Sequence, residues 1–410
     1  MKINELHKIT LDILLESLKY PTVIGQSYED IVDFYAEKLS EYGINVTVHR
    51  VPDDYSSRVL KPHHRPDKPR YILIARVGSG KRILQFNGHY DVVEPGEGWK
   101  TNPFDPVIEG GKVYGRGASD MKGGIAAILS TMIYFASTSD PSITVEAVLV
   151  PDEEIGGLTG TGYLVNELGS KPDWVIIAEP SGIDNIYIGH RGTVWSIVKV
   201  FGQQAHGSTP WKGDNAFLKM VDLAKAFYEA YVRQLSTKRS AYVYEDENAS
   251  IPSVNLGGLL LSPGSINIVP GVAGFSIDRR LIVEERAGDV VEEMTKLLEN
   301  LSTKLGIRAE LEVVEKSDPA IVSPSSTIVE ILERSIKEIR GVTPRKTICV
   351  GGLDMKYYVW KNIEAVAYGP GSVDQAHRVN EYIEIANLYA AINIYIDLVR
   401  RLETLDMTRS

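Results

Sequence analysis

Short apolar runs, INVTVHRV, YILIARV, RILQFNGH, ITVEAVLV and DWVIIAE, recur through the first part of the chain. Each is rich in β-branched residues and bounded by Gly, Pro or charge, as buried strands are. Among them lie helical patterns. Residues 27–42, SYEDIVDFYAEKLSEY, repeat apolar positions every three or four residues and stop at Gly43, and 121–137, MKGGIAAILSTMIYFAS, form a second such segment. Alternation of this kind predicts an α/β fold, a sheet flanked by helices.

Ligands of such sheets gather beyond the carboxyl ends of the strands. His89 follows RILQF, Glu154 follows ITVEAVLV, Glu179 closes DWVIIA, and His377 lies on the loop after IEAVAYGPG. Asp120, in GRGASDMKGG, immediately precedes the second helical segment, a place that suits a carboxylate bridging two cations near a helix N-terminus. These five residues are enough for a two-metal site. Their nitrogen and carboxylate donors, without thiolate, suit two divalent ions, Zn²⁺ first and Co²⁺ or Mn²⁺ as alternatives. Glu153, next to Glu154, is then a free base beside the metals, and the chain reads as a hydrolase. Asp91, two residues after His89, is placed to accept the second imidazole N–H and fix the ring.

The pattern changes near residue 186. IYIGHRGTVWSIVKVFG reads as a half-exposed strand pair, a helix follows at 215–235 with Asp214 as its N-cap, and SVNLGGLL and GVAGFSIDRRLIV supply two strands. A helix at 283–305, ended by Gly306, and the strand AELEVVE complete a βαββαβ order, that of a ferredoxin-like layer. The expected organisation is a catalytic domain in two parts, 1–185 and 316–410, split by an inserted lid and dimerisation domain, 186–315. Segment 52–70, with Lys61, His63, His64, Arg65, Lys68 and Arg70, reads as a solvated basic loop.

A formal charge of −10 over 410 residues argues against nucleic acid and anionic membrane surfaces as partners. No stretch approaches the roughly 20 apolar residues that span a bilayer, and the N-terminal helical pattern is broken by Glu5, Lys8, Asp12 and Glu16, unlike a secretion signal. Cys349 is the single cysteine, so no internal disulfide can form, which fits a reducing cytoplasm.

GHYDVV, GRGASDMKGG, the EE pair before Gly, AEPS, AHGSTP and QAHRVNE occur in one order along the chain. Together they resemble the di-zinc aminoacylase, carboxypeptidase and desuccinylase family, with wording most similar to acetylornithine deacetylases and succinyl-diaminopimelate desuccinylases. The resemblance implies that His89 and Glu179 hold one metal and Glu154 and His377 the other, with Asp120 bridging. It implies that His206 in GQQAHGSTP donates to the oxyanion from the neighbouring protomer of a homodimer. It also implies that Asn255, Arg279 and Gly352 meet the substrate's carboxylate or carbonyl, with Arg280 able to exchange roles with Arg279. Leu353 stands where desuccinylases carry a hydroxyl residue, which weakens a succinyl assignment.

The substrate class that follows is a small N-acyl amino or diamino acid, with a short peptide as the alternative. Singly, each residue has a plainer explanation: a hydrogen-bonded histidine, a helix cap, a solvated loop charge. Jointly, those explanations require independent coincidences at successive strand ends. A phosphate cradle at GRGASDMKGG is disfavoured, because GxGxxD lacks the GxGxxG order and Asp120 sets a negative charge where phosphate would lie. A binding protein that has lost its chemistry is disfavoured by the retention of Glu153 with all five ligands.

Overall fold

Strands Thr144–Val150, Ile83–His89, Trp174–Ile177 and Glu364–Ala367 lie side by side in that order, all parallel. Tyr71–Val77 and then Val46–Arg50 extend this sheet antiparallel on one side. Every residue of Thr144–Val150 is buried, as expected of a parallel strand covered on both faces. The computed structural model of the protein describes residues 1–407. Among them no helix is long and apolar enough to cross a membrane.

The chain divides into two compact units. The first comprises 1–188, 322–347 and 353–410, and the second 189–321 together with 348–352. In the first, helix Gly123–Thr138 is apolar almost all round and nearly wholly buried, as a helix in the middle of a large core must be. Helices Ile3–Ser17, Tyr28–Ser40 and Thr327–Arg340 are amphipathic, and Ile385–Met407 closes the unit.

The second unit has antiparallel strands in the order Ser253–Leu261, Val272–Leu281, Gly192–Phe201 and Arg308–Ser317. With helices Ala216–Leu235 and Ala287–Leu305 in their chain positions, this is the ferredoxin-like arrangement. Alternate residues Val194, Val198 and Val200 meet Leu223, Phe227, Met294 and Leu298 in one apolar core. Burying each of these larger side chains contributes about 1.5–3 kcal/mol.

Three sequence expectations are corrected. Residues Asn185–His190 and Gly192–Phe201 do not pair with each other: the first pairs with Glu364–Ala367, and the second is central to the antiparallel sheet. The cap of Ala216–Leu235 is Asn215, whose Oδ1 accepts from Phe217 and Leu218 N–H, whereas Asp214 forms an ion pair with Lys219. Segment 52–70 is not a bare loop. It contains helix Asp53–Val59 and is gathered by Arg70, a buried guanidinium that donates to the carbonyls of His64, Arg65 and Lys68 and to Asp152.

Candidate metal centre

Parallel strands bring their carboxyl ends to one edge, so residues far apart in sequence meet there. His89 ends strand Ile83–His89, and Glu153 and Glu154 sit in the turn after Thr144–Val150. Glu179 comes just after Trp174–Ile177, and His377 lies on the loop that follows Glu364–Ala367. Asp120 enters from the irregular turn Ala118–Lys122, in which the Asp120–Met121 peptide is cis. Two glycines permit the close approach of these segments. A Cβ on Gly124 would stand 2.2 Å from the Ala178 carbonyl oxygen beside Glu179, and one on Gly371 would stand 2.2 Å from that of Ser119.

Asp120 lies between the two histidines. Its Oδ1 is 3.2 Å from His89 Nε2 and its Oδ2 is 3.5 Å from His377 Nε2. On the first side His89 Nε2 is 3.8 Å from Glu179 Oε1, and on the second His377 Nε2 is 3.0 Å from Glu154 Oε2. Nitrogen and oxygen ligands held about 2.0–2.1 Å from a tetrahedral ion stand about 3.3 Å from one another, so these spacings fit shared cations. Donor atoms of His89, Glu153 and Glu179 also fall within 4.8 Å of one another, as do those of His89, Asp120 and Glu154.

The electrostatics fit cations too. Asp120, Glu153, Glu154 and Glu179 crowd around two imidazoles, and burial compounds their repulsion. Burial first, then the carboxylates of Glu179 and Asp354, pushes Glu153 well above the ordinary carboxylate range. Burial and then Asp120 push Glu154 up to about 7. The hydrogen bond to Glu154 raises His377 to about 9. Burial pulls His89 down, but Glu179, Asp120 and Asp91 outweigh it and hold the ring well above its usual value. Oε1 of Glu179 is buried with no hydrogen-bond partner, and a cation would satisfy it.

Asp91 holds a different post from the one expected. The Nδ1–H of His89 donates to the Asp91 backbone carbonyl at 2.9 Å, and the Asp91 side chain is farther away, at 3.5 Å. That carboxylate instead accepts the backbone N–H groups of Glu153 and Glu154, at 3.2 and 3.1 Å. One residue thus orients the His89 ring through its main chain and the Glu153–Glu154 turn through its side chain. Asp152, buried, braces the same turn by accepting from Arg70, Tyr28 and Thr159. Neither Asp152 nor Arg70 carried a functional signal in the sequence beyond a charge next to an apolar run.

His206, Asn255, Arg279 and Gly352 belong to the second unit. His206 is exposed on the two-stranded ribbon Ala205–His206 with Ile268–Val269. Its Nδ1 accepts the Ser208 N–H at 3.1 Å, which puts the proton of the neutral ring on Nε2. Asn255 and Gly352 are exposed. Arg279 is corrected: its guanidinium is fully buried and bonded to Tyr231, Glu285 and the Arg280 carbonyl, so it holds the unit together and has no donor turned to a ligand. Arg280, the next residue on the opposite face, keeps its side chain 34% exposed beside Asp278.

The fold and this cluster define a hydrolytic enzyme of the metallopeptidase and amidohydrolase class. The model of peptidase family M20/M25/M40 matches residues 85–401, and the chain belongs to that family. It is 25% identical to an uncharacterised metallohydrolase of Methanocaldococcus jannaschii, over 97% of this chain and 99% of the relative. It is 28% identical to a succinyl-diaminopimelate desuccinylase of Rhizorhabdus wittichii, covering 87% of this chain and 89% of that one. Among solved structures, an M20 family metallo-carboxypeptidase from Sulfolobus solfataricus shares the fold with a TM-score of 0.74 at 23% identity, over 96% of this chain and 99% of the other.

Proposed function

We propose that the protein is a two-metal amidohydrolase that removes the acyl group from an N-acyl amino or diamino acid, cleaving an amide next to a free carboxylate. The observation that carries the reading is Asp120, with one oxygen turned to His89 and the other to His377, and Glu153 beside them. His89 and Glu179 would hold one divalent ion, Glu154 and His377 the other, and Asp120 both. Zn²⁺ suits the donors best, and Co²⁺ or Mn²⁺ would substitute. When bound, the ions supply Lewis-acid activation of water and of the scissile carbonyl.

Glu153 takes the proton of the attacking water and returns it to the leaving amine. Its carboxylate stands beside His89 and Glu179 without completing either of the pairs that flank Asp120, which leaves it free to take and return a proton. His206, with its proton on Nε2, is the donor to the developing oxyanion. Asn255, Arg280 and Gly352 receive the substrate's carboxylate and carbonyl, a guanidinium matching a carboxylate through paired donors.

A second reading, a carboxypeptidase or dipeptidase acting on short peptides, is favoured by Leu353. That apolar side chain is buried where an acyl-carboxylate acceptor calls for a hydroxyl. The two readings share one chemistry and differ in what lies beyond the amide. A panel of N-acetylornithine, N-succinyl-diaminopimelate, other N-acyl amino acids and dipeptides, assayed for amine release with Zn²⁺ or Co²⁺ loaded, separates them. Preference for one acylated diamino acid supports the deacylase, faster release from dipeptides supports the peptidase, and silence across the panel removes both.

We assign the working form as a cytoplasmic homodimer in which His206 serves the neighbouring protomer. Helix Ala216–Leu235 exposes Phe217, Leu218, Val221, Tyr228 and Val232, and edge strand Ser253–Leu261 exposes Leu259 and Leu260, an apolar surface of the kind that protein partners cover. Mixing inactive His206→Ala and Glu153→Ala chains is expected to restore part of the activity, because one mixed site carries neither change. No recovery in proven heterodimers would place His206 in its own chain's site.

A further inference from the structure

We infer that Glu381 is the positioning residue that sets Asp120 between the two halves of the metal centre; the inference rests on the two-metal reading. Glu381 is fully buried. Its Oε1 accepts the backbone N–H groups of Ser119 at 2.7 Å and Asp120 at 2.9 Å. Its Oε2 accepts the N–H of Gly117 at 2.9 Å and the Arg116 guanidinium at 2.6 Å. One carboxylate thus gathers three backbone donors of the turn that delivers Asp120, together with the Arg116 guanidinium.

The turn needs such an acceptor. Gly117 has φ +87°, and Asp120 and Met121 have non-helical dihedrals, so the N–H groups here cannot all join the regular ladder of the following helix. Buried N–H groups must be satisfied, and a charged acceptor does so with short, directional bonds. The same device recurs across the site, where the Asp91 carboxylate accepts from Glu153 and Glu154. Each of these ligand-bearing turns is therefore held by a buried carboxylate that is not itself placed as a ligand.

Glu381 stands four residues after His377 on one segment. That segment delivers the His377 ring to one side of Asp120 and fixes the Asp120 backbone with its own carboxylate. A shift of the segment moves a ligand and the bridge together. The consequence is that Glu381 governs metal affinity without touching metal or substrate, as residues behind the ligands do in metal sites.

The test is metal binding by the full-length protein, stripped and then titrated with Zn²⁺ by calorimetry and with Co²⁺ by visible absorption. The unaltered protein is expected to take up two equivalents. Glu381→Gln, which keeps the shape but presents an amide NH₂ to a backbone donor, is expected to weaken at least one site roughly 10–100-fold. Its Co²⁺ spectrum should change, while circular dichroism of the metal-free variant stays that of the folded protein. Wild-type affinity and an unchanged Co²⁺ spectrum in folded Glu381→Gln overturn the inference. Failure of the unaltered protein to bind two equivalents overturns the two-metal reading instead. Should Glu381→Gln not fold, Glu381→Asp, which retains the charge with a shorter reach, carries the same expectation.

Discussion

Glu153→Gln is expected to lower kcat by roughly 10²–10⁴-fold or more, the range associated with loss of a general acid–base group, while leaving the metal content unchanged. The expectation follows from where Glu153 stands. It lies within ligand reach of His89 and Glu179, yet the pairs that flank Asp120 are completed by Glu179 on one side and Glu154 on the other. A neutral amide keeps the hydrogen-bonding outline and removes the ability to take a proton, so the loss should fall on kcat more than on KM. Elemental analysis distinguishes this from loss of a ligand: a variant that is inactive because it has shed metal would show that Glu153 binds the ion. Near-normal turnover with both metals present would mean that the base is another residue.

The parallel part of the sheet and three of the candidate ligands are legible in the sequence for one reason. Parallel strands buried on both faces are written as near-continuous apolar runs, and their carboxyl ends fall on a common edge, so a His or Glu just past each run is marked twice. His89, Glu154 and Glu179 follow this pattern directly. His377, on the loop after IEAVAYGPG, lies well beyond the end of its strand and so carries the weaker mark, with QAHRVNE as its second signal. The ferredoxin-like order was legible because amphipathic helices separated by alternating strands admit few arrangements.

What stayed hidden depends on the main chain or on pairing across long separations. The Asp91 side chain was expected to hold His89, but ring and carboxylate are only two residues apart, and there the backbone carbonyl is the nearer acceptor. Arg279 and Arg280 could not be told apart by composition, because the alternation of a strand sends one inward and one outward without saying which. Asn185–His190 looked like half of a hairpin, since adjacency in sequence cannot reveal that the chain passes there from one unit to the next. Glu381 carries no mark in the sequence, because its partners, the Arg116 guanidinium and three backbone N–H groups, lie more than 250 residues earlier, and backbone groups leave no trace in the residue types.

Removing the metals should abolish turnover and loosen the first unit, and the sign of its pH dependence is fixed by the crowding at the site. Ions bound at a free concentration about 1,000 times Kd stabilise the folded form by about 4 kcal/mol per site. For a unit of this size that is a rise in Tm on the order of 10 °C per site. In the metal-free protein the hydrogen bond to Glu154 raises His377 from 6.5 to about 9, and burial raises Glu154 from 4.5 to about 7. A group whose value is raised on folding binds more protons folded than unfolded. Its contribution is complete below the unfolded value and fades as pH climbs through the folded one. The metal-free fold should therefore lose stability between about pH 5 and 9 at this site. Metal binding requires these same groups to shed their protons, so affinity should rise over the same interval. The gap between the Tm of loaded and stripped protein is thus expected to widen from pH 6 to pH 8, read by calorimetry. Hydrogen exchange should slow in strand Ile83–His89 on loading and stay unchanged in helix Ala216–Leu235. A gap that narrows with pH would mean that His377 and Glu154 release no protons to the metals and are not their ligands, and turnover that survives full chelation would remove the metals from the chemistry altogether.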